Sequence, residues 1–143
     1  MSSATWTGSC HCGAIGFRYL SSVAPREWSV RACQCSFCRA HGAETTSDPS
    51  GEIEWRATDE AAVNRYRFGL ETADFLLCRR CGAYAGAVIE SPRGRFGIVN
   101  TRLLEPRPDG LPPAAPASYE GEDSAARIRR REQRWSPVTA APW

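Results

Sequence analysis

Lysine is absent from this chain: all eighteen basic residues are arginine. That excludes a Schiff-base lysine mechanism, and we read the bias as one of source composition rather than as a binding signature. No apolar run approaches the ~20 residues of a membrane-spanning helix, so a soluble protein with no membrane partner is expected. No large excess of either charge is present. The formal net charge is +2, too small to argue for a nucleic-acid partner. Met1 to Thr7 is short and polar, without the charged-then-apolar pattern and small-residue cleavage site of an export signal, so a cytoplasmic, reducing setting is expected. At 143 residues, with 42% hydrophobic and 24% charged, the size and composition suit one globular domain with a modest core.

What is present in excess is cysteine, seven residues in three clusters: Cys10-His11-Cys12, Cys33-Gln34-Cys35-Ser36-Phe37-Cys38 and Cys78-Arg79-Arg80-Cys81. A disulfide framework fits poorly, because the count is odd, nothing marks export, and a bond within Cys-x-Cys would be strained. Metal ligation fits better. Each short pair holds two sulfurs on one turn, close enough to share an ion at about 2.3 Å per Zn–S bond. Gly13 and Gly82 each follow the second cysteine of a pair, where a positive φ lets backbone N–H groups point at the sulfurs. Cys10, Cys12, Cys78 and Cys81 therefore read as a closed, structural four-cysteine site that ties the first strand to a late hairpin.

Cys33, Cys35 and Cys38 remain, three sulfurs from six residues with no fourth cysteine. A three-ligand zinc with an open position is how catalytic zinc is usually built. Two other readings stay open: a second closed site with His41 as fourth ligand, and a redox-active Cys35/Cys38 pair. His11, between two ligands, is given no catalytic role.

Short alternating segments dominate the chain and point to a mainly β fold: Ile15, Phe17 and Tyr19; Trp28, Val30 and Ala32; Ile53, Trp55 and Ala57; Phe75 to Leu77; Tyr84 to Ile89; Phe96 and Ile98. Thr58 to Tyr66 reads as a helix of at most about two turns. After Leu104 five prolines between Glu105 and Ser124 describe an extended connector. Ala125 to Trp135, capped by Ser124, reads as a basic helix carrying Arg127, Arg129, Arg130, Arg131 and Arg134, with Ile128 and Trp135 docking one face on the core. The expected organisation is a zinc-binding domain over residues 1–104, a connector over 105–124, and a basic segment over 125–143 packed on the same domain. The arginine cluster reads as a solvated face or an anchor for carboxylates, more than as a nucleic-acid patch.

Gly8-Ser9-Cys10-His11-Cys12-Gly13, Cys33-Gln34-Cys35-Ser36-Phe37-Cys38-Arg39 with Gly42 following, and Leu77-Cys78-Arg79-Arg80-Cys81-Gly82 together resemble the signature of the glutathione-dependent formaldehyde-activating enzyme family, which includes centromere protein V. The resemblance runs from about Thr5 to Leu104 and covers all three motifs in order and spacing. It implies a β-tent of antiparallel sheets and two zinc ions, one structural on the first and third motifs and one labile and catalytic on the middle cysteines. It further implies a carbon–sulfur lyase chemistry: addition of the glutathione thiol to formaldehyde, or the reverse. Glutathione carries two carboxylates, for which Arg39, Arg79, Arg80 or the terminal arginines are candidates. Glu44 and Asp48 are candidate proton-transfer groups, each weighed against a solvated loop carboxylate. The alternative function is a non-catalytic zinc-binding module whose arginine-rich tail engages a protein or nucleic-acid partner.

Overall fold

The computed structural model describes residues 3–143. Strand residues outnumber helical ones, 40% against 18%, so the fold is mainly β with short helices. Eleven strands run in chain order: β1 (Ala4–Ser9), β2 (Ile15–Ser21), β3 (Arg31–Cys33), β4 (Thr45–Thr46), β5 (Glu52–Ala57), β6 (Val63–Tyr66), β7 (Asp74–Cys78), β8 (Tyr84–Ser91), β9 (Gly94–Asn100), β10 (Ala115–Ala117) and β11 (Ser136–Ala140). Two α-helices join them, α1 (Ser36–His41) and α2 (Ser124–Arg134).

The strands form two layers joined by one strand. β1, β2 and β5 make an antiparallel ribbon in which Phe17 faces Trp55 across the β2–β5 pair. The second layer runs β6-β7-β8-β9, continues through β4 and β3, and ends at β10. β11 belongs to both. Ser136 and Pro137 pair antiparallel with β9, while Val138 and Ala140 pair parallel with β5. A second parallel pair joins β10 to β3, so the expected all-antiparallel arrangement carries two parallel contacts, both made by strands beyond Leu104.

Alternation in β7, β8 and β9 divides the core in two. Leu76, Ala85, Val88 and Val99 join Phe17, Ile53 and Trp55 between the layers. Phe75, Ala87, Ile89 and Ile98 face the other way, where Trp135 and Ile128 of α2 and Phe37 of α1 cover them. Side chains on successive strand residues point to opposite faces, so the near-continuous apolar run Tyr84 to Ile89 is that of a strand buried on both sides. Burying this second face needs α2, which is why Ile128 and Trp135 dock as expected.

Two local readings change. Only Glu60–Ala62 of the segment expected to be helical is helical, a single 3-10 turn in which Asp59 Oδ1 accepts from the Ala61 N–H at 3.0 Å. Val63–Tyr66 instead pairs with Phe75–Cys78. A two-turn helix gains little on its own, and the open edge of β7 offers four residues of ladder. Of the Trp28-Val30-Ala32 segment, only Arg31–Cys33 is strand; Trp28 ends a 3-10 turn and its indole N–H donates to the Val23 carbonyl at 2.9 Å.

Candidate metal centres and the arginine-lined cavity

Cys10 and Cys12 lie in the turn after β1, and Cys78 and Cys81 span the turn from β7 to β8. The structure brings all four sulfurs within 4.8 Å of one another. Cys12 Sγ stands 3.7 Å from Cys10 Sγ and 3.5 Å from Cys78 Sγ. Sulfurs at the corners of a tetrahedron with bonds of about 2.3 Å would be about 3.8 Å apart, so the donor set fits a zinc-sized ion. Backbone N–H groups already aim at it: Ile15 N–H donates to Cys10 Sγ at 3.3 Å and Arg80 N–H to Cys78 Sγ at 3.4 Å. Gly13 and Gly82 take φ of 82° and 79°, the positive values expected at these turns.

The middle cluster is built by a strand end and a helix start. Cys33 closes β3. Cys35 caps α1, its sulfur accepting from the Cys38 N–H at 3.4 Å, and Cys38 lies one turn in and is buried. The helix, unforeseen from periodicity, stops at Gly42 with φ 58° and an N–H bonded back to the helix carbonyls, a left-handed stop that glycine adopts readily. Sulfurs of Cys33, Cys35 and Cys38 lie within 4.8 Å of one another, and among the described residues no histidine or carboxylate joins them. His41 is turned away: its Nδ1 lies 2.9 Å from the Phe37 carbonyl and its ring packs on Phe37, centroids 4.3 Å apart. Cys33 and Cys38 hold their protons unequally. A hydrogen bond from the Cys38 thiol, helped by the Cys35 N–H, brings Cys33 down to about 5 against its burial, while the same bond and burial push Cys38 up.

These sulfurs line a cavity of about 600 Å³. Beside the cysteine strand and helix, its walls are Phe68 to Phe75, the Ser118-Tyr119-Glu120 segment that follows β10, and the inner face of α2 with Arg127, Arg130 and Arg131. Arg31 and Arg39 complete the basic lining. β10 is what delivers Tyr119: its parallel pairing with β3, extended by Gln34 N–H donating to the Ala117 carbonyl at 2.8 Å, fixes the connector beside the cluster. Pro116 is tolerated there because β10 is an edge strand.

The arginines of α2 differ in their surroundings. Arg130 stacks on Tyr119, 3.5 Å from the ring centre, and bonds Glu122 at 2.9 and 3.1 Å, while Arg127 bonds the same carboxylate at 3.3 Å. Hydrogen bonding from Arg130 holds Glu122 below the usual carboxylate range. Arg131 is buried, and burial, reinforced by Arg130 and Arg127, lowers it to about 10. Its Nη1 donates to Thr72 Oγ1 at 2.8 Å. Of the five lining arginines, only Arg31 has no mark in the sequence; Arg131 is one of the terminal arginines that are candidates there for a carboxylate. The spacing of Arg127, Arg130 and Arg131, at i, i+3 and i+4, was the available signal that they share one helix face.

The other sequence candidates lie elsewhere. Arg80 pairs with Asp59 at 2.6 Å beside the four-cysteine cluster, and neither it nor Arg79 lines the cavity. Glu44 pairs with Arg102 and Arg107 at 3.3 and 3.6 Å. Asp48 is buried and structural: Oδ2 accepts from Ser21 Oγ at 2.6 Å, Oδ1 from the Ser50 N–H at 2.9 Å, and Ser136 Oγ bridges its backbone to β11. Asp48→Ala is expected to cost about 1–3 kcal/mol in urea denaturation, from the stranded Ser21 hydroxyl, with turnover unchanged. Lost turnover at unchanged stability would return Asp48 to an acid–base role.

Residues 5–120 match the family described as glutathione-dependent formaldehyde-activating enzyme. A protein of Halomonas elongata that carries the provisional name of such an enzyme is 36% identical over an alignment covering 33% of this chain and 41% of that protein; the chain thus spans about two-fifths of that relative's length. Among solved structures, a Rhodobacter sphaeroides protein is 26% identical with a TM-score of 0.52, covering 79% of this chain and 99% of that one.

Proposed function

Because the chain belongs to the glutathione-dependent formaldehyde-activating enzyme family, we propose that it is a zinc-dependent carbon–sulfur lyase that forms or cleaves a thiol–aldehyde adduct such as S-hydroxymethylglutathione. The observation that carries this reading is the cysteine triplet, joined by no fourth protein donor among the described residues and opening on a cavity of about 600 Å³. That volume lies within the range of sites for molecules of glutathione's size. In this reading Cys10, Cys12, Cys78 and Cys81 hold a structural zinc, and Cys33, Cys35 and Cys38 a catalytic one. Zinc bound by these three thiolates would supply the acidification of a thiol near neutral pH and the polarisation of a carbonyl oxygen.

The chain's own contribution is placement. The Cys38 N–H steadies the Cys35 sulfur, Phe68, Phe75, Ile98 and Trp135 give the cavity an apolar wall that sheds water, and the arginines set a positive potential that favours an anionic thiol. Residues 1–104 then carry both zinc sites, 105–124 form the connector, and 125–143 close the cavity, on a two-layer frame that we take as the family's β-tent. A cytoplasmic setting, where thiols stay reduced, belongs to the same reading. The non-catalytic alternative draws less support, because Arg127 and Arg130 are engaged by Glu122 and Arg131 is buried, leaving few free cations on α2 for a partner.

The test is zinc analysis together with exchange spectroscopy of formaldehyde and glutathione. Two zinc ions per chain, one of them perturbed by added thiol, and exchange faster than background are expected. Two ions indifferent to thiols, with exchange at the background rate, would sink the proposal.

A further inference from the structure

The cavity holds more positive charge than the protein itself balances. Five arginines line it against one lining acid, the exposed Glu120. Glu122 satisfies Arg127 and Arg130. Nothing comparable serves Arg131 or Arg31: neither makes an ion pair among the described residues. Arg131 is only 7% exposed, bonds one neutral hydroxyl on Thr72, and leaves its Nε without a partner. Its guanidinium is held 4.8 Å over the Trp135 ring, a contact that fixes the plane of the fork without neutralising it. Arg31 is half-buried and bonds the Ser47 hydroxyl at 2.7 Å. It precedes Cys33 by two positions on β3, which puts both side chains on one face of the strand. The Tyr84 hydroxyl, buried close enough to feel both Arg131 and the three cysteines, is unpartnered as well.

A buried, unpaired guanidinium is costly and stable folds rarely keep one without use. Fork-shaped donors match planar oxyanions bidentately. We propose that Arg131 and Arg31 form an oxyanion subsite beside the cysteine triplet that takes a carboxylate of the thiol substrate, so that acidic thiols are preferred over neutral ones. This rests on the lyase reading for its substrate, and on the cavity alone for its binding.

The experiment is calorimetric titration of the zinc-loaded protein with S-methylglutathione, which keeps both carboxylates but presents no thiol, and with its diethyl ester. Inorganic phosphate serves as competitor. Losing charge-assisted bonds should weaken the ester by about ten- to a hundredfold. Arg131→Met, which retains packing on Trp135, should abolish the preference while the melting temperature holds or rises, because an unpaired buried charge has been removed. Arg31→Gln, which can still bond Ser47, should reduce the preference. Equal binding of acid and ester, or a preference intact in both variants, would overturn the subsite. So would phosphate displacing S-methylglutathione at equal concentration, since the site would then read phosphate and not the thiol's carboxylate. The ester comparison needs no variant to fold. Charge-selective binding without accelerated exchange would remove the lyase reading and leave the subsite standing; accelerated exchange without charge selectivity would do the reverse.

Discussion

If each cysteine cluster holds a zinc ion as proposed, Cys81→Ser should leave the chain unfolded or unable to retain the first ion, whereas Cys35→Ser should stay folded and lose only the second. The asymmetry follows from what each cluster joins. Cys81 belongs to the set that fastens the turn after β1 to the turn between β7 and β8, sites 66 residues apart for Cys12 and Cys78. Structural zinc in small domains contributes about 10–16 kcal/mol of apparent binding energy, comparable with the whole net stability of a domain, about 5–15 kcal/mol. Removing one of four thiolates therefore removes a quantity the core cannot replace. Cys35 lies within six residues of its partners and fastens no distant segments. Its structural duty is to cap α1 by accepting the Cys38 N–H, and serine is among the best residues for that position. Circular dichroism melts with zinc analysis decide the matter. Two zinc ions per wild-type chain, one in folded Cys35→Ser, and a flat melt for Cys81→Ser are expected. Equal loss of structure in both would make both clusters structural.

Gly86→Val is expected to be strongly damaging although it lies away from the cysteines, costing about 3 kcal/mol or more. β8 carries an extra residue there: Leu76 pairs with Gly86 and Leu77 with Tyr84, so Ala85 is bulged and two successive residues face the inter-layer core. A Cβ on Gly86 would run into the Ile98 carbonyl of β9 and stand 2.8 Å from the Trp55 ring. Neither can yield, since the carbonyl is part of the β8–β9 ladder and Trp55 is buried against Phe17, ring centres 5.4 Å apart. Glycine is what lets two strands and an indole meet at a bulge. Urea denaturation of Gly86→Val against wild type measures the cost, and a loss under about 1 kcal/mol would mean that the bulge relaxes more easily than the packing implies.

Much of the site could be read along the chain because metal ligation by cysteine is a local matter. Two sulfurs on one turn can share an ion whatever the rest of the fold does, so the division into Cys10, Cys12, Cys78, Cys81 and Cys33, Cys35, Cys38 is the grouping that the folded chain brings together. Strands β2, β5, β8 and β9 were legible for a similar reason, since alternation reports a face directly. What spacing could not report was competition. Val63 to Tyr66 suits a short helix until the edge of β7 is offered, and a strand with a partner then outweighs a helix of two turns.

The region past Leu104 shows the same limit at a larger scale. Its prolines and arginines suggest a connector and a solvated helix, yet β10 extends the sheet beside β3 and β11 sits between β5 and β9. Five residues of β11, Ser136-Pro137-Val138-Thr139-Ala140, carry little strand signal of their own. They are strand because the two layers leave a ladder position between β5 and β9 that this segment fills.

The sequence by itself determined the mainly β class and the three short cysteine clusters, since each depends on residues a few positions apart whose geometry the backbone fixes. The joining of Cys10 and Cys12 to Cys78 and Cys81 followed from setting Cys33, Cys35 and Cys38 aside as a separate local triplet. Tertiary structure alone decided that one set opens on a cavity, that α2 forms its wall, and that Arg131 is buried without a carboxylate while Arg127 and Arg130 share Glu122. Burial and charge balance depend on which distant segments pack together: helical spacing places Arg131 on the face of Ile128 and Trp135, but carries no mark of which carboxylate reaches which arginine.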